Sequence, residues 1–394
     1  MPTVVSVFGV EPFRIGGTET FARELSSQLA QHDWQSVLCF QSSPPENVLD
    51  FLERENVTIE LLPDSPSLSL KALRDFVRVL RRYRPEIVHL HFTGFLGLYP
   101  WLARLHSVKK IFFTDHTSRP SGYVARRAPF WKRTLARVIN LPLTKVICVS
   151  RYGKECLTAL ELLPGERYEL VYNAVDLSLV QHDSGRATEF RRKHSIPSDR
   201  TLVLQVSWII PEKGIADLLA AANLVLSENR NVQFVFVGEG AYRSVYKKTA
   251  AEIGIGDNVT WTGLVEDPFG EGVYEAADIV CQVSNWEEVF GWMIAEAMAH
   301  GKPVVGTNVG GIPELVAHQQ SGFVVDRGDV RAIADKILKL VNDRELCERM
   351  GHVGAEMVAA RFDLRTNVGR LIDLYGIKNG DNNRGSLQAD SNLI

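Results

Sequence analysis

The chain has 394 residues, with 44 Lys and Arg against 47 Asp and Glu for a formal net charge of −3, and 45% of it is hydrophobic. That length is too great for one compact core and suits two domains, each burying its own sheet. The near-neutral balance excludes general polyanion binding. The five unclustered cysteines, Cys39, Cys148, Cys156, Cys281 and Cys347, form no CxxC pair and argue for a reducing compartment and against a zinc site.

The chain opens on Thr3-Val-Val-Ser-Val-Phe8, an apolar run with no basic segment ahead of it, which predicts a first strand rather than a signal peptide. Val- and Ile-rich runs predict strands at residues 4–8, 36–40, 87–91, 111–114, 146–150 and 170–172. Six more follow at 202–206, 234–238, 259–262, 279–283, 304–307 and 322–325. Helical periodicity fills the intervals, so the expected fold class is α/β, with two open, mostly parallel sheets covered by helices on both faces.

The polar stretch 176–200 predicts a crossing between domains and the hinge, dividing the chain into residues 1–180 and 181–363. An amphipathic helix carrying Leu364, Val368, Leu371, Ile372 and Tyr375 follows. Residues 379–394 hold too few apolar groups to offset the entropy of ordering, which predicts a disordered tail. No run reaches the roughly 18 apolar residues of a spanning helix, so any membrane contact is expected to be peripheral.

Charge is unevenly spread. From Lys71 to Arg137 there are fifteen Lys and Arg against Asp75, Glu86 and Asp115, a local excess of 12. Within this stretch Arg126, Arg133 and Arg137 repeat at helical spacing beside Arg127 and Lys132, while Phe130, Trp131, Leu135, Val138 and Ile139 add apolar bulk. The pattern fits an ordinary packed surface helix, or a face that meets an anionic bilayer. Nucleic acid is not expected, because no binding motif accompanies the charge.

The segment richest in chemistry runs from Glu288 to Val305. Phe290, Met293, Ile294, Ala297 and Met298 have the spacing of a helix with one buried face, ended by Gly301 and Pro303 before a strand begins at Val304. Glu288 then lies in the loop ahead of that helix. Glu296 lies about two turns inside it, where a carboxylate is costly unless it meets hydroxyls such as those of a polyol.

Helix starts near Phe290 and near Ile312-Pro313 offer free backbone N–H groups to a diphosphate, and Lys213 after Pro211 offers a full charge, unless it is a plain surface lysine. Gly16-Gly17 and Gly310-Gly311 are either tight turns or places where backbone approaches a ligand closely. His89 and His91 alternate on one strand and share a face. With no acidic partner nearby in sequence they read as packed, hydrogen-bonded histidines rather than metal ligands.

Glu288 to Glu296, Gly310-Gly-Ile-Pro-Glu314 and Ser321-Gly-Phe323, preceded by Pro211-Glu-Lys-Gly214, Val235-Phe-Val-Gly-Glu-Gly240, Thr262-Gly-Leu264 and Tyr274-Glu-Ala-Ala-Asp278, form an ordered set. With Gly16-Gly17-Thr-Glu19, Ile87-Val-His-Leu-His91, Thr114-Asp-His116, Val149-Ser150 and Val171-Tyr-Asn-Ala-Val-Asp176, it resembles the retaining nucleotide-sugar glycosyltransferases of the GT-B fold, glycosyltransferase family 4, over about residues 3–375.

The resemblance implies two Rossmann-like domains facing a central cleft, the first for the acceptor and the second for a nucleotide-diphosphate sugar, with the helix at 364–377 crossing back to the first. It implies donor contacts from Gly16, Gly17, Trp208, Lys213, Gly263, Leu264, Glu288, Phe290, Gly291, Trp292 and Glu296, and catalytic roles for His116, Lys213 and Glu288. Glu296 would hold the ribose and Glu288 the donor sugar. Arg126, Arg127, Trp131, Lys132, Arg133 and Arg137 would face a glycan or polyprenyl-linked acceptor, or the membrane.

Retention of configuration, a role in surface polysaccharide or glycolipid synthesis, and a cytoplasmic location, peripheral on the inner face of the plasma membrane, complete the expectation. No cofactor is expected. Metal-free transfer is expected too, since no Asp-x-Asp pair occurs. One departure stands out: five residues before Lys213, where this family has an arginine that shares the diphosphate, the chain has Trp208, leaving Arg14 or Arg243 as substitutes. A sugar-nucleotide epimerase or hydrolase and a non-catalytic sugar-nucleotide-binding subunit remain as alternatives.

Overall fold

The computed structural model describes residues 1–63, 69–181 and 183–377. The predicted tail at 379–394 lies outside them. Two parallel sheets dominate. The first joins β1 (Thr3–Phe8), β2 (Gln35–Phe40), β3 (Val57–Leu61), β4 (Ile87–His91), β5 (Lys110–Asp115), β6 (Lys145–Cys148) and β7 (Tyr168–Leu170) in the order β3-β2-β1-β4-β5-β6-β7. The second joins β8 (Thr201–Val206), β9 (Val232–Val237), β10 (Val259–Gly263), β11 (Ile279–Gln282), β12 (Val304–Thr307) and β13 (Gly322–Val325) in the order β10-β9-β8-β11-β12-β13.

Both sheets are buried on two faces, which is why their strands read as apolar runs rather than alternating ones. β3 is the strand that the sequence pattern missed. It is a half-exposed edge strand, Val-Thr-Ile-Glu-Leu, and carries no such run.

Strand order reverses between β1 and β4 in one sheet and between β8 and β11 in the other. In open α/β sheets the crevice beyond the strand ends at such a switch point is where ligands bind, and here the two crevices face each other. Glu314 accepts from the N–H groups of Arg151 and Tyr152 at 2.9 and 2.7 Å, so a carboxylate of the second lobe caps the Arg151–Leu160 helix of the first. Arg119 and Glu287 exchange two backbone hydrogen bonds across the same boundary at 2.9 and 3.0 Å.

Asp363 caps the last helix, Leu364–Tyr375, whose Leu364, Val368, Leu371 and Ile372 pack on Val4, Leu25, Leu29 and Phe112 of the first lobe. The polar crossing includes a helix at Ser184–Lys193; its His182 lies outside the described residues.

Candidate active site between the lobes

The helix after Glu288 spans Trp292–Ala299, starting at Gly291, whose φ of 103° only glycine adopts readily. It is buried on nearly all sides rather than on one face, because Met293, Ile294, Ala295, Ala297, Met298 and Ala299 are all covered. Its first turn opens onto a cavity of about 440 Å³ between the lobes. Lys213, Glu288, Phe290, Gly291, Trp292, Glu296, Trp208 and Leu264 line that cavity from the second lobe, and Gly16, Gly17 and His116 line it from the first. Residues separated by up to 280 positions thus share one space.

Lys213 donates to Glu288 at 2.5 Å, and Ser284 donates to the same carboxylate at 2.8 Å. The pair is largely sheltered from water, so each partner depends on the other for charge balance. Glu296 accepts from the hydroxyl of Tyr274. Burial pushes the Glu296 carboxyl above its ordinary range, while the Tyr274 hydrogen bond and the Arg14 charge oppose that shift.

On the facing wall, burial lowers the imidazole of His116 to about 4 and that of His89 to about 3, so both are neutral near pH 7. His89 bonds Tyr375 at 2.6 Å and Thr114 at 2.7 Å. His116 meets His91 at 3.3 Å, and its ring lies on Phe92 and toward Trp292. Its Nδ1 has no partner among the described residues. Here His89 is a packed, hydrogen-bonded histidine, whereas His91 leaves Nε2 unpartnered.

Several expectations change. A Cβ at Gly17 would come within 2.4 Å of the Trp292 ring, so that glycine makes room for an indole from the other lobe at the edge of the cavity. A Cβ at Gly310 would meet the Glu288 carbonyl at 2.0 Å, and Gly310 and Gly311 donate to Glu287 and Glu288. That glycine pair serves a close backbone crossing, and neither it nor the helix start at Ile312 lines the cavity. Gly263 also stands off the cavity, holding a positive φ at the end of β10. Tyr274, Gln282, Ser284 and Asn173 belong to the site or its supports without having been singled out. Tyr274 and Asn173 lay in noted motifs, and Ser284 lies four residues before Glu288, but none of these positions announces its contact.

The basic helix spans Phe130–Ile139, and Ala136 is its one buried residue. Phe130 is 75% exposed, Trp131 66% and Val138 57%, with Arg126, Lys132 and Arg137 exposed around them. An ordinary packed helix would bury its apolar stripe. Arg133 departs from the expected face: its guanidinium turns inward to Glu161 at 2.6 Å. Arg127 reaches the same carboxylate at 2.9 Å from a more open position. Among the described residues no helix is long and apolar enough to cross a membrane.

Residues 15–179 match the domain described as glycosyltransferase family 4, and residues 186–357 match that described as glycosyl transferases group 1. The chain belongs to this glycosyltransferase family. It is 29% identical over 318 residues to an alpha-D-kanosaminyltransferase of Streptomyces kanamyceticus, covering 76% of this chain and 80% of that one. It is 24% identical over 376 residues to an N-acetyl-alpha-D-glucosaminyl L-malate synthase of Bacillus anthracis, with coverage of 92% and 94%. A GDP-mannose-dependent mannosyltransferase of Mycobacterium tuberculosis, acting on a phosphatidylinositol monomannoside, is 31% identical over 216 residues, 53% of this chain and 56% of that one.

The fold of this glycosyltransferase is GT-B. A Rickettsia africae glycosyltransferase superposes with a TM-score of 0.80 at 20% identity, covering 95% of this chain and 98% of that one. An Anabaena protein, HepE, solved in complex with UDP, gives 0.76 at 19% identity with coverage of 95% and 100%.

Proposed function

We propose that this glycosyltransferase moves a sugar, with retention, from a nucleotide-diphosphate donor to a glycan or lipid-linked acceptor. The observation that carries the reading is the convergence of Lys213, Glu288 and Glu296 with neutral His116 on one cavity at a helix start. A diphosphate entering there meets the amides of Gly291 and Trp292 and competes with Glu288 for the Lys213 ammonium. Release from Lys213 frees the Glu288 carboxylate, still held by Ser284, to accept from sugar hydroxyls. Glu296, braced by Tyr274, accepts from the ribose. His116 is too weak a base to be charged near pH 7, so it acts as a hydrogen-bond partner to the sugar and not as a proton store.

The donor class is supported by named relatives: HepE was solved with UDP and with UDP and glucose, and the mycobacterial enzyme is GDP-mannose-dependent. Capsular polysaccharide synthesis in Staphylococcus aureus and the phosphatidylinositol acceptor support the setting. No divalent ion is required in this scheme, because a lysine and peptide dipoles take up the leaving charge.

A thermal-shift screen over UDP, GDP, ADP, dTDP and their sugars tests the site: a cognate ligand that binds only the folded state raises Tm. Assays with EDTA and NMR of the product's anomeric proton test the metal-free and retaining steps. Donor conversion to an epimer or free sugar at full rate without acceptor overturns transfer in favour of an epimerase or hydrolase. A Glu288→Ala variant with unaltered biological activity favours a binding subunit.

The acceptor side of the proposal rests on the exposed Phe130–Ile139 helix, whose apolar residues amid Arg126, Lys132 and Arg137 fit an anionic bilayer surface. Flotation with phosphatidylglycerol-containing vesicles should carry the protein. Phe130→Ser with Trp131→Ser should abolish flotation and leave donor binding intact. Failure of the unaltered protein to float removes the membrane from the scheme.

A further inference from the structure

Among the described residues, Arg14 and Lys213 supply the arginine and lysine that line the cavity, against Asp176, Glu239, Glu288 and Glu296. Carboxylates therefore outnumber cations where a dianionic or trianionic diphosphate must sit, and Lys213 is already tied to Glu288. On the Lys213 side the wall continues with Trp208, an uncharged ring that is 51% exposed. Arg243, a conceivable second cation of the same lobe, is engaged by Glu239 at 2.7 Å and by the carbonyl of Trp261 at 3.2 Å, and it does not line the cavity.

Arg14 differs in each respect. It comes from the opposite lobe, in the loop just ahead of the Gly17–Ala30 helix, and it lines the cavity. Its guanidinium has no ion pair among the described residues; it lies 5.9 Å from the ring of Phe13, and that ring in turn meets Trp208 at 5.9 Å. Its charge is also felt across the gap, favouring the ionised forms of Glu296 and Tyr274 of the second lobe.

We infer that Arg14 is the second diphosphate-binding cation of this enzyme, delivered from the first lobe to the side of the cavity that Trp208 leaves without charge. The inference rests on the donor reading above. It makes the leaving group a bridge between lobes, with Lys213 on one wall and Arg14 on the other, so that gripping the diphosphate also favours the closed arrangement. The plain alternative is that Arg14 only neutralises Glu19 and Glu296.

Calorimetric titration of the full chain with UDP, GDP, ADP and dTDP, each beside its parent nucleoside, separates the two. For whichever diphosphate binds, Arg14→Gln is expected to weaken it about tenfold or more, the loss of one charge-assisted contact, and to leave the nucleoside unchanged. Trp208→Arg added to Arg14→Gln is expected to recover most of that loss, because it returns a guanidinium to the Lys213 wall. Equal weakening of nucleoside and diphosphate, or none of either, overturns the inference while leaving the donor reading intact. A double variant no tighter than Arg14→Gln overturns the claim that the two positions share one task. If no diphosphate binds the unaltered protein, the donor reading fails and takes this inference with it.

Discussion

The two walls of the cavity treat their own charged groups in opposite ways. The second lobe pairs its charged groups internally: Lys213 and Ser284 hold Glu288, and Tyr274 holds Glu296, although Oε1 of Gln282 on the same wall has no partner among the described residues. The first lobe leaves the Arg14 guanidinium without an ion pair and Nδ1 of His116 without a partner among the described residues. A ligand must therefore displace internal contacts on one side, while on the other it only completes them. The internally paired wall keeps a dense set of charges stable without ligand. The open wall concentrates the gain on binding, since unpartnered buried polar groups are costly until they are met.

The sharpest way to break that contrast is to remove the carboxylate that organises the closed wall. Glu288→Ala should cut kcat/KM for transfer by on the order of 100- to 1000-fold. Lys213→Ala should do about as much, and the double variant little more than either, because the two act as a unit. Additive losses in steady-state kinetics would mean the pair is incidental.

Next in size is the seam where the walls touch. Gly17→Ala forces a methyl into the Trp292 ring and should destabilise by about 1–3 kcal/mol, read as a lower Tm, with slower transfer. In a Trp292→Ala background the same change should cost almost nothing. A full cost there would show that Gly17 is needed for some other reason.

The smallest effect is in pH dependence, and the groups pull in opposite directions. His116 and His89 have folded values of about 4 and about 3 against 6.5, so the unfolded chain takes up protons first. Their contribution is present above pH 6.5 and is lost as pH falls toward 4 and below. Glu19, raised by burial to about 6, binds its proton more readily when folded. Its contribution is present below pH 4.5 and is lost as pH rises through 6. His116→Asn should flatten the acid side of a Tm-against-pH curve, and Glu19→Gln should lift its neutral side. A curve unchanged by either substitution would contradict the burial that sets these shifts.

How much of this was legible depends on how local each signal is. Glu296 was readable as a carboxylate in need of a partner because an acid on an apolar helix is costly within its own turn, and burial does raise its carboxyl. Gly17 and Gly310 were readable as places of close approach, yet what approaches was not: an indole in one case and a backbone crossing in the other. The exposed face of the Phe130–Ile139 helix could be drawn from spacing, whereas Arg133 was misassigned because Glu161, its partner, lies 28 residues on. β3 escaped because an edge strand is half in water and loses the apolar run that marks its neighbours.

By itself the sequence determined the α/β alternation, the two sheets and the cluster of motifs at the strand ends, because periodicity and chain-breaking glycines act over a few residues. Tertiary structure alone decided which groups are paired and which are open: Lys213 with Glu288, Tyr274 with Glu296, Glu314 on a helix of the other lobe, and Arg14 rather than Arg243 facing the cavity. Charge and hydrogen bonding act through space over a few ångströms. A chain folded into two facing sheets brings within that range residues that no local pattern connects.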